Sequence, residues 1–241
     1  MARLIDQDFI RLEIFLANYS LATTLESKTR EQLIKRGHKH CLAALQMWAI
    51  ASQLSAANNL SIKGVAVPNI SPQIDQISES FSDLTSSFFA ALHGLFKPAH
   101  MSLRSAIETF TRGIAGLTSL EAAGTTSVFR LFELARACDA FSDSARPSFE
   151  LLHQQYIQLC SFAHSSGPGH LVKNHAMSSF PKHEIDPLRI WVKHFEVTTK
   201  AMLSVLIFSN RNLYLRASPQ AQDVYEEVVP KTARLFALGA P

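Results

Sequence analysis

The sequence predicts an all-α protein, a multi-helix bundle of about eight helices. Three observations carry this. Apolar residues recur at three and four positions, not at two, along most of the chain. Gly (9) and Pro (10) are scarce in 241 residues, which excludes collagen-like chains, flexible linkers and β-rich folds with many tight turns. Finally, Ser71-Pro72, Asp186-Pro187 and Ser218-Pro219 mark helix starts. Ser or Asp accepts from the unpaired first amides, and Pro is preorganised at the first helical position.

Taken in order, Phe9, Leu12, Phe15 and Leu16 place a first helix over roughly 6–26, and a second runs over about 28–58 to Asn58-Asn59. The linker NLSIKGVAVPNI at 59–70 follows, with VAV as a short extended piece at most. Ile74, Ile77, Phe81, Leu84, Phe88, Leu92 and Leu95 form a nearly unbroken stripe on a third helix over about 72–96. Pro98 opens a fourth over about 98–119, carrying Leu103, Ile107, Phe110, Ile114 and Leu117. Further helices span about 126–142, about 147–163 (opened by Pro147), about 187–215 and about 219–237. Residues 164–186 form the one long irregular stretch, and loops of that length are commonly functional or disordered. No repeat, low-complexity tract or firm boundary divides the chain. It reads as a single helical domain over 1–241, with the 59–70 linker as the best cut between N-terminal helices 1–58 and a helical core 71–241.

Apolar residues are 47% of the chain, enough for a dry core. Charged residues are 18%, and Lys+Arg exceeds Asp+Glu by only 3, so no generic nucleic-acid coat is expected. Cys41, Cys138 and Cys160 are isolated, which suits a reducing cytoplasm. The opening MARLIDQDFIRLE has acids where an export signal needs an apolar run. Residues 41–57 and AMLSVLIF are too polar or too short to span a membrane, so no membrane association is expected. Phosphate-loop, dinucleotide-binding, HExxH, zinc-type and GxSxG patterns are all absent, and neither cofactor nor metal is expected.

Three constellations remain. Arg104 and Glu108, four apart on the fourth helix, project to one side, with His100 and Thr111 near it. They read either as a surface ion pair or as an anion clamp, in which Glu108 holds a guanidinium suited to bidentate phosphate binding. On the sixth helix His153, Tyr156, Cys160 and His164 share a narrow face. His164, where that helix gives way to the long loop, is either a histidine favoured by the helix C-terminus or a general acid/base. Tyr156 would position a substrate or hydrogen-bond Arg104. Cys160 reads as a buried small apolar residue before it reads as a nucleophile. The third constellation is the basic run from Lys28 to His40, where Arg36, Lys39 and His40 share a face. It is either a solvated helix face or a phosphate-tracking stripe, to which the loop's His170, Lys173, His175, Lys182 and His183 would add.

The segments LRSAIETFTRGIAGL and YIQLCSFAHSS resemble a diffuse group of bacterial helical proteins of unknown function, reading Leu-Arg-Ser-x-x-Glu and later Tyr-x-x-Leu-Ser-x-x-x-His. That group looks distantly related to HEPN-type domains, helical bundles found among RNases of toxin–antitoxin and phage-defence systems. The resemblance covers roughly residues 85–170 and picks out Arg104, Ser105, Glu108, Tyr156, Leu159 and His164, with Cys160 where the pattern favours Ser. It implies a HEPN-like core with an N-terminal helical extension, a metal-independent ribonuclease or toxin-type effector, RNA as partner and a homodimer. HEPN ribonucleases characteristically carry Arg followed, after four to six residues, by His on one helix. Here Arg104 and His164 would instead converge from two helices, Arg104 clamping phosphate and His164 moving the proton. The alternatives are a non-catalytic helical module binding a protein or nucleic acid, with Arg104, Glu108, Tyr156 and His164 as a structural polar cluster, and a helical small-molecule sensor.

Overall fold

A computed structural model describes residues 3–18, 21, 25–164 and 184–239. These residues hold eleven α-helices and one two-stranded hairpin, an all-α bundle. The order is α1 (Leu4–Asn18), α2 (Lys28–Ala56), β1 (Ser61–Ile62), β2 (Val65–Ala66), α3 (Pro72–Leu92), α4 (Phe96–Ala115), α5 (Leu120–Gly124) and α6 (Val128–Ala137). Two short 3-10 turns follow at Asp139–Phe141 and Asp143–Ala145. The chain continues through α7 (Arg146–Ala163), α8 (Ile185–Ser209), α9 (Asn212–Leu215), α10 (Pro219–Val228) and α11 (Lys231–Leu238).

The centre is α8. From Ala201 to Phe208 every residue is buried, and Trp191, Val192 and Phe195 are buried before them. A helix that is apolar all round has to be enclosed, and α2, α4 and α7 pack against it. The Trp191 indole donates to the Ser87 hydroxyl (3.0 Å), which donates to the Ala99 carbonyl (2.7 Å), so one buried chain of hydrogen bonds fixes α8, α3 and α4 together. Helices α3 and α4 form a close hairpin. A Cβ at Gly113 would stand 2.7 Å from Ile77 and 3.0 Å from the Gln73 carbonyl oxygen, so this contact needs glycine.

Ser71 and Ser218 cap α3 and α10, each accepting an amide at 3.3 Å. Asp186-Pro187 instead lies inside the first turn of α8, whose cap is Glu184. Likewise Pro98 is the third residue of α4 rather than its opening residue. Other expected spans were too long, each for a local reason. The Leu21 amide reaches back to the Leu16 carbonyl (2.6 Å), closing α1 well short of residue 26. Gly94, at φ 67°, stops α3, with the Leu95 amide on the Ala90 carbonyl (2.9 Å). Asn210 is extended and donates to the Ser61 carbonyl (2.9 Å), splitting α9 from α8. Pro230 splits the last expected helix into α10 and α11, since it lacks the donor a continuous helix needs. The linker holds the β-hairpin, with Ser61 opposite Ala66 and Ile62 opposite Val65.

Candidate functional site

The candidate site lies where α4 packs against α7. Arg104, half-buried on α4, reaches across to α7. Its NH2 donates to the Tyr156 hydroxyl (2.6 Å), its Nε donates to the Cys160 Sγ (3.3 Å), and its guanidinium carbon lies 4.8 Å from the Tyr156 ring centroid. Tyr156 and Cys160 are one helical turn apart, which is why both meet the same guanidinium. Burial pushes the Tyr156 phenol up to about 12, the nearby Arg104 opposing it, so the phenol keeps its proton. With its oxygen accepting from Arg104, that O–H proton remains to be donated elsewhere.

The expected role of Glu108 needs correction. Its carboxylate accepts from Arg112 NH2 (3.2 Å), and Arg112 also donates to the Thr125 carbonyl (2.5 Å), tying α4 to the turn after α5. Arg104 therefore has no carboxylate within ion-pair distance among the described residues. Ser105 lies beside Asp83 on α3, whose carboxyl is pushed up by burial. His100 and Thr111 are buried, and the His100 ring stacks on Phe162 (3.9 Å between centroids). His164 caps α7, exposed, its amide on the Cys160 carbonyl (3.0 Å). It shares a face with Cys160 and stands one turn, about 6 Å along the axis, beyond it. Among the described residues no hydrogen bond joins Arg104 to His164.

The same face of α7 continues toward its N-terminus through His153, Glu150 and Arg146. Arg136 on α6 binds the Glu150 carboxylate at 3.0 and 2.8 Å and lies 3.3 Å from His153 Nδ1. Arg146 donates to the Arg136 carbonyl (2.6 Å). His153 stacks on Phe132 (4.5 Å), which also meets the Tyr156 ring (5.1 Å) and the Phe149 ring (6.1 Å). Burial, then Arg136, lowers the His153 pKa, so this imidazole is neutral near pH 7. The Arg-to-His spacing set aside above, in favour of Arg104 and His164 on two helices, is in fact present twice: Arg146 and His153 are separated by six residues on one helix, and Arg189 and His194 by four. In α8 that second pair turns apart. Arg189 binds Asp186, whereas His194 packs inward, its Nδ1 2.7 Å from the Gln155 side-chain oxygen, with burial and then Lys193 lowering its pKa to about 4.

The basic run on α2 is not an open stripe. Arg36 makes two hydrogen bonds to Glu196 (3.0 and 2.6 Å) and Lys39 pairs with Glu227 (3.5 Å). His40 is buried, its Nδ1 on the Arg36 carbonyl (2.7 Å), and burial lowers its pKa to about 4. Lys173 and the loop histidines 170, 175 and 183 lie outside the described residues. Among the described residues no His/Cys/Asp/Glu group is arranged to hold a metal ion, and no helix is long and apolar enough to cross a membrane. No family model, curated protein or solved structure matches this chain. Fold and site together describe an all-α bundle in which Arg104 of α4 lies against one face of α7 that also carries Tyr156, Cys160 and His153.

Proposed function

We propose that the protein is a metal-independent ribonuclease or toxin-type effector of HEPN-like kind, acting in bacterial defence. It would bind RNA along α7 and work as a homodimer in the cytoplasm. One observation carries this reading. Arg104 is a half-buried guanidinium, oriented by a phenol and a thiol, with no carboxylate to neutralise it. A half-buried cation left uncompensated is a site for an anion, and its planar fork suits phosphate. Beside it the Tyr156 O–H supplies a further donor. Cleavage without metal needs a base for the 2′-hydroxyl proton, an acid for the leaving 5′-oxygen and positive charge on the crowded phosphate. In this reading the 2′-oxygen attacks phosphorus as the bond to the 5′-oxygen breaks. His164 takes the 2′-hydroxyl proton while water protonates the leaving 5′-oxygen, or the two exchange roles, and Arg104 with Tyr156 holds the non-bridging oxygens. Arg136 and Arg146, paired with Glu150, hold α6 to α7 beside this site and add no free charge to it. Arg36, Lys39 and His40 are occupied by Glu196, Glu227 and the backbone, and take no part.

The test is incubation of purified protein with total RNA in excess chelator. Wild type cleaves; His164→Ala falls by about a hundredfold or more, the usual scale for general acid–base catalysis. Glu108→Gln, which leaves Arg104 undisturbed, cleaves like wild type. Equal cleavage by wild type and His164→Ala removes His164 from the mechanism. A second reading, a non-catalytic module in which Arg104 only fixes helix register, draws on the two hydrogen bonds and ring contact that tie it to α7. That reading wins if Arg104→Gln lowers stability while RNA binding stays unchanged.

A further inference from the structure

Arg211 and Arg216 flank α9, and α11 carries Lys231 and Arg234. Neither 209–218 nor 229–239 contains an acidic residue. The two helices pack together. Burial pushes the Tyr214 phenol of α9 up, and Arg234 opposes the rise while Glu226 adds to it, so both charges lie near α9. The acids of the intervening α10 leave the four cations alone. Glu227 is taken by Arg3 and Lys39, and Asp223 and Glu226 are exposed and form no ion pair with them. Among the described residues Arg211, Arg216, Lys231 and Arg234 have no carboxylate partner, whereas Arg3, Lys35, Arg36, Arg130 and Arg136 are each bound to one.

The same two helices leave apolar side chains in water. Leu238 is 62% exposed, and Leu215 and Phe236 are each 40% exposed. A helix on the surface of a soluble domain ordinarily turns its larger apolar residues inward. Helix α11 does the reverse: it buries only Ala233 and Ala237, and leaves Leu235, Phe236 and Leu238 outside the core. Leu235 and Phe236 also wall an open cavity of about 500 Å³ with Pro147 and Phe208, so the apolar surface continues toward the start of α7. Each of the four cations is solvated, unlike half-buried Arg104, so a partner has to meet several of them together with the leucines.

We propose that the α9–α11 surface docks on an anionic lipid bilayer, with Arg211, Arg216, Lys231 and Arg234 at the headgroups and Leu215, Phe236 and Leu238 just beneath them. Long cationic side chains can stay at headgroup level while apolar neighbours enter the acyl boundary. RNA would use the cations but gain nothing from the leucines, and a protein partner would need acids and an apolar pocket in matching register. A fluid anionic bilayer supplies both without register. Co-sedimentation of the whole chain tests this, using vesicles of phosphatidylcholine alone or mixed with phosphatidylglycerol. Wild type partitions into the mixed vesicles about tenfold or more above the neutral ones, and less at high salt. The double variant Arg211→Gln/Arg216→Gln, changed only at exposed positions, falls about twenty-fivefold, or about fivefold per cation. Leu238→Gln, which keeps the charge, falls about tenfold. Arg130→Gln, at an exposed but carboxylate-bound cation, partitions like wild type. No preference for anionic vesicles, unchanged binding in the double variant or in Leu238→Gln, or a double variant that loses affinity for RNA and not for vesicles would each overturn the proposal.

Discussion

Arg36 on α2 and Arg104 on α4 look equivalent in the sequence, each an arginine on an amphipathic helix beside histidine. The fold treats them oppositely. Arg36 meets the Glu196 carboxylate with two hydrogen bonds, and Lys39 meets Glu227. Arg104 meets a phenol and a thiol, which orient a guanidinium without cancelling its charge. Basic composition therefore says little about where an anion binds; what decides is which cations lack a carboxylate once the chain has folded. The α2 run of basic residues holds α2 to α8 and α10. At the α4–α7 contact Arg104 is left with no carboxylate partner among the described residues.

The comparison breaks first at Glu196. Removing it in Glu196→Ala strands Arg36 and the nearby His40, and we expect a loss of about 2–3 kcal/mol in urea unfolding, the scale of charge-assisted hydrogen bonds. RNA binding should not weaken, since the freed Arg36 can only add positive charge. A loss of affinity along with stability would mean that α2 contributes to recognition after all.

Next comes acid. His40 has its pKa lowered by burial to about 4 from an ordinary 6.5. Between those values the unfolded chain binds a proton that the folded chain refuses, so stability is complete above pH 6.5 and falls as pH drops toward 4. From pH 7 to pH 5 this residue accounts for about 2 kcal/mol. His194, also held at about 4 by burial and then Lys193, acts in the same direction and on the same scale. Urea midpoints for wild type and His40→Phe at the two pH values measure it. An equal fall in both proteins would show that His40 is not the group that titrates.

Much of the bundle was legible because apolar periodicity and Ser-Pro caps are local signals. The α3 stripe from Ile74 to Leu92 and the caps Ser71 and Ser218 came out as read. Helix ends were less legible, since Asn210 stops α8 only by reaching a distant carbonyl at Ser61. The encounter of Arg104 with Tyr156 was foreseeable as one pairing among several, but the diversion of Glu108 to Arg112 was not: both arginines lie four residues from it, on opposite sides. Burial of His40 was illegible for a different reason. Its helix is basic on that face, and only the arrival of Glu196 from α8 turns the face inward. The Arg146–His153 cluster did have a signal in its spacing, and Arg136 from α6 completes it in three dimensions.

The central claim is that Arg104, not the α2 run, is the cation this fold holds ready for phosphate. Fluorescence anisotropy of a short labelled RNA at several salt concentrations tests it, using wild type, Arg104→Gln and Arg36→Gln. The account predicts that Arg104→Gln weakens binding about tenfold or more and flattens the salt dependence by about one phosphate contact, while Arg36→Gln binds like wild type. Equal binding by wild type and Arg104→Gln, or a loss confined to Arg36→Gln, would contradict it.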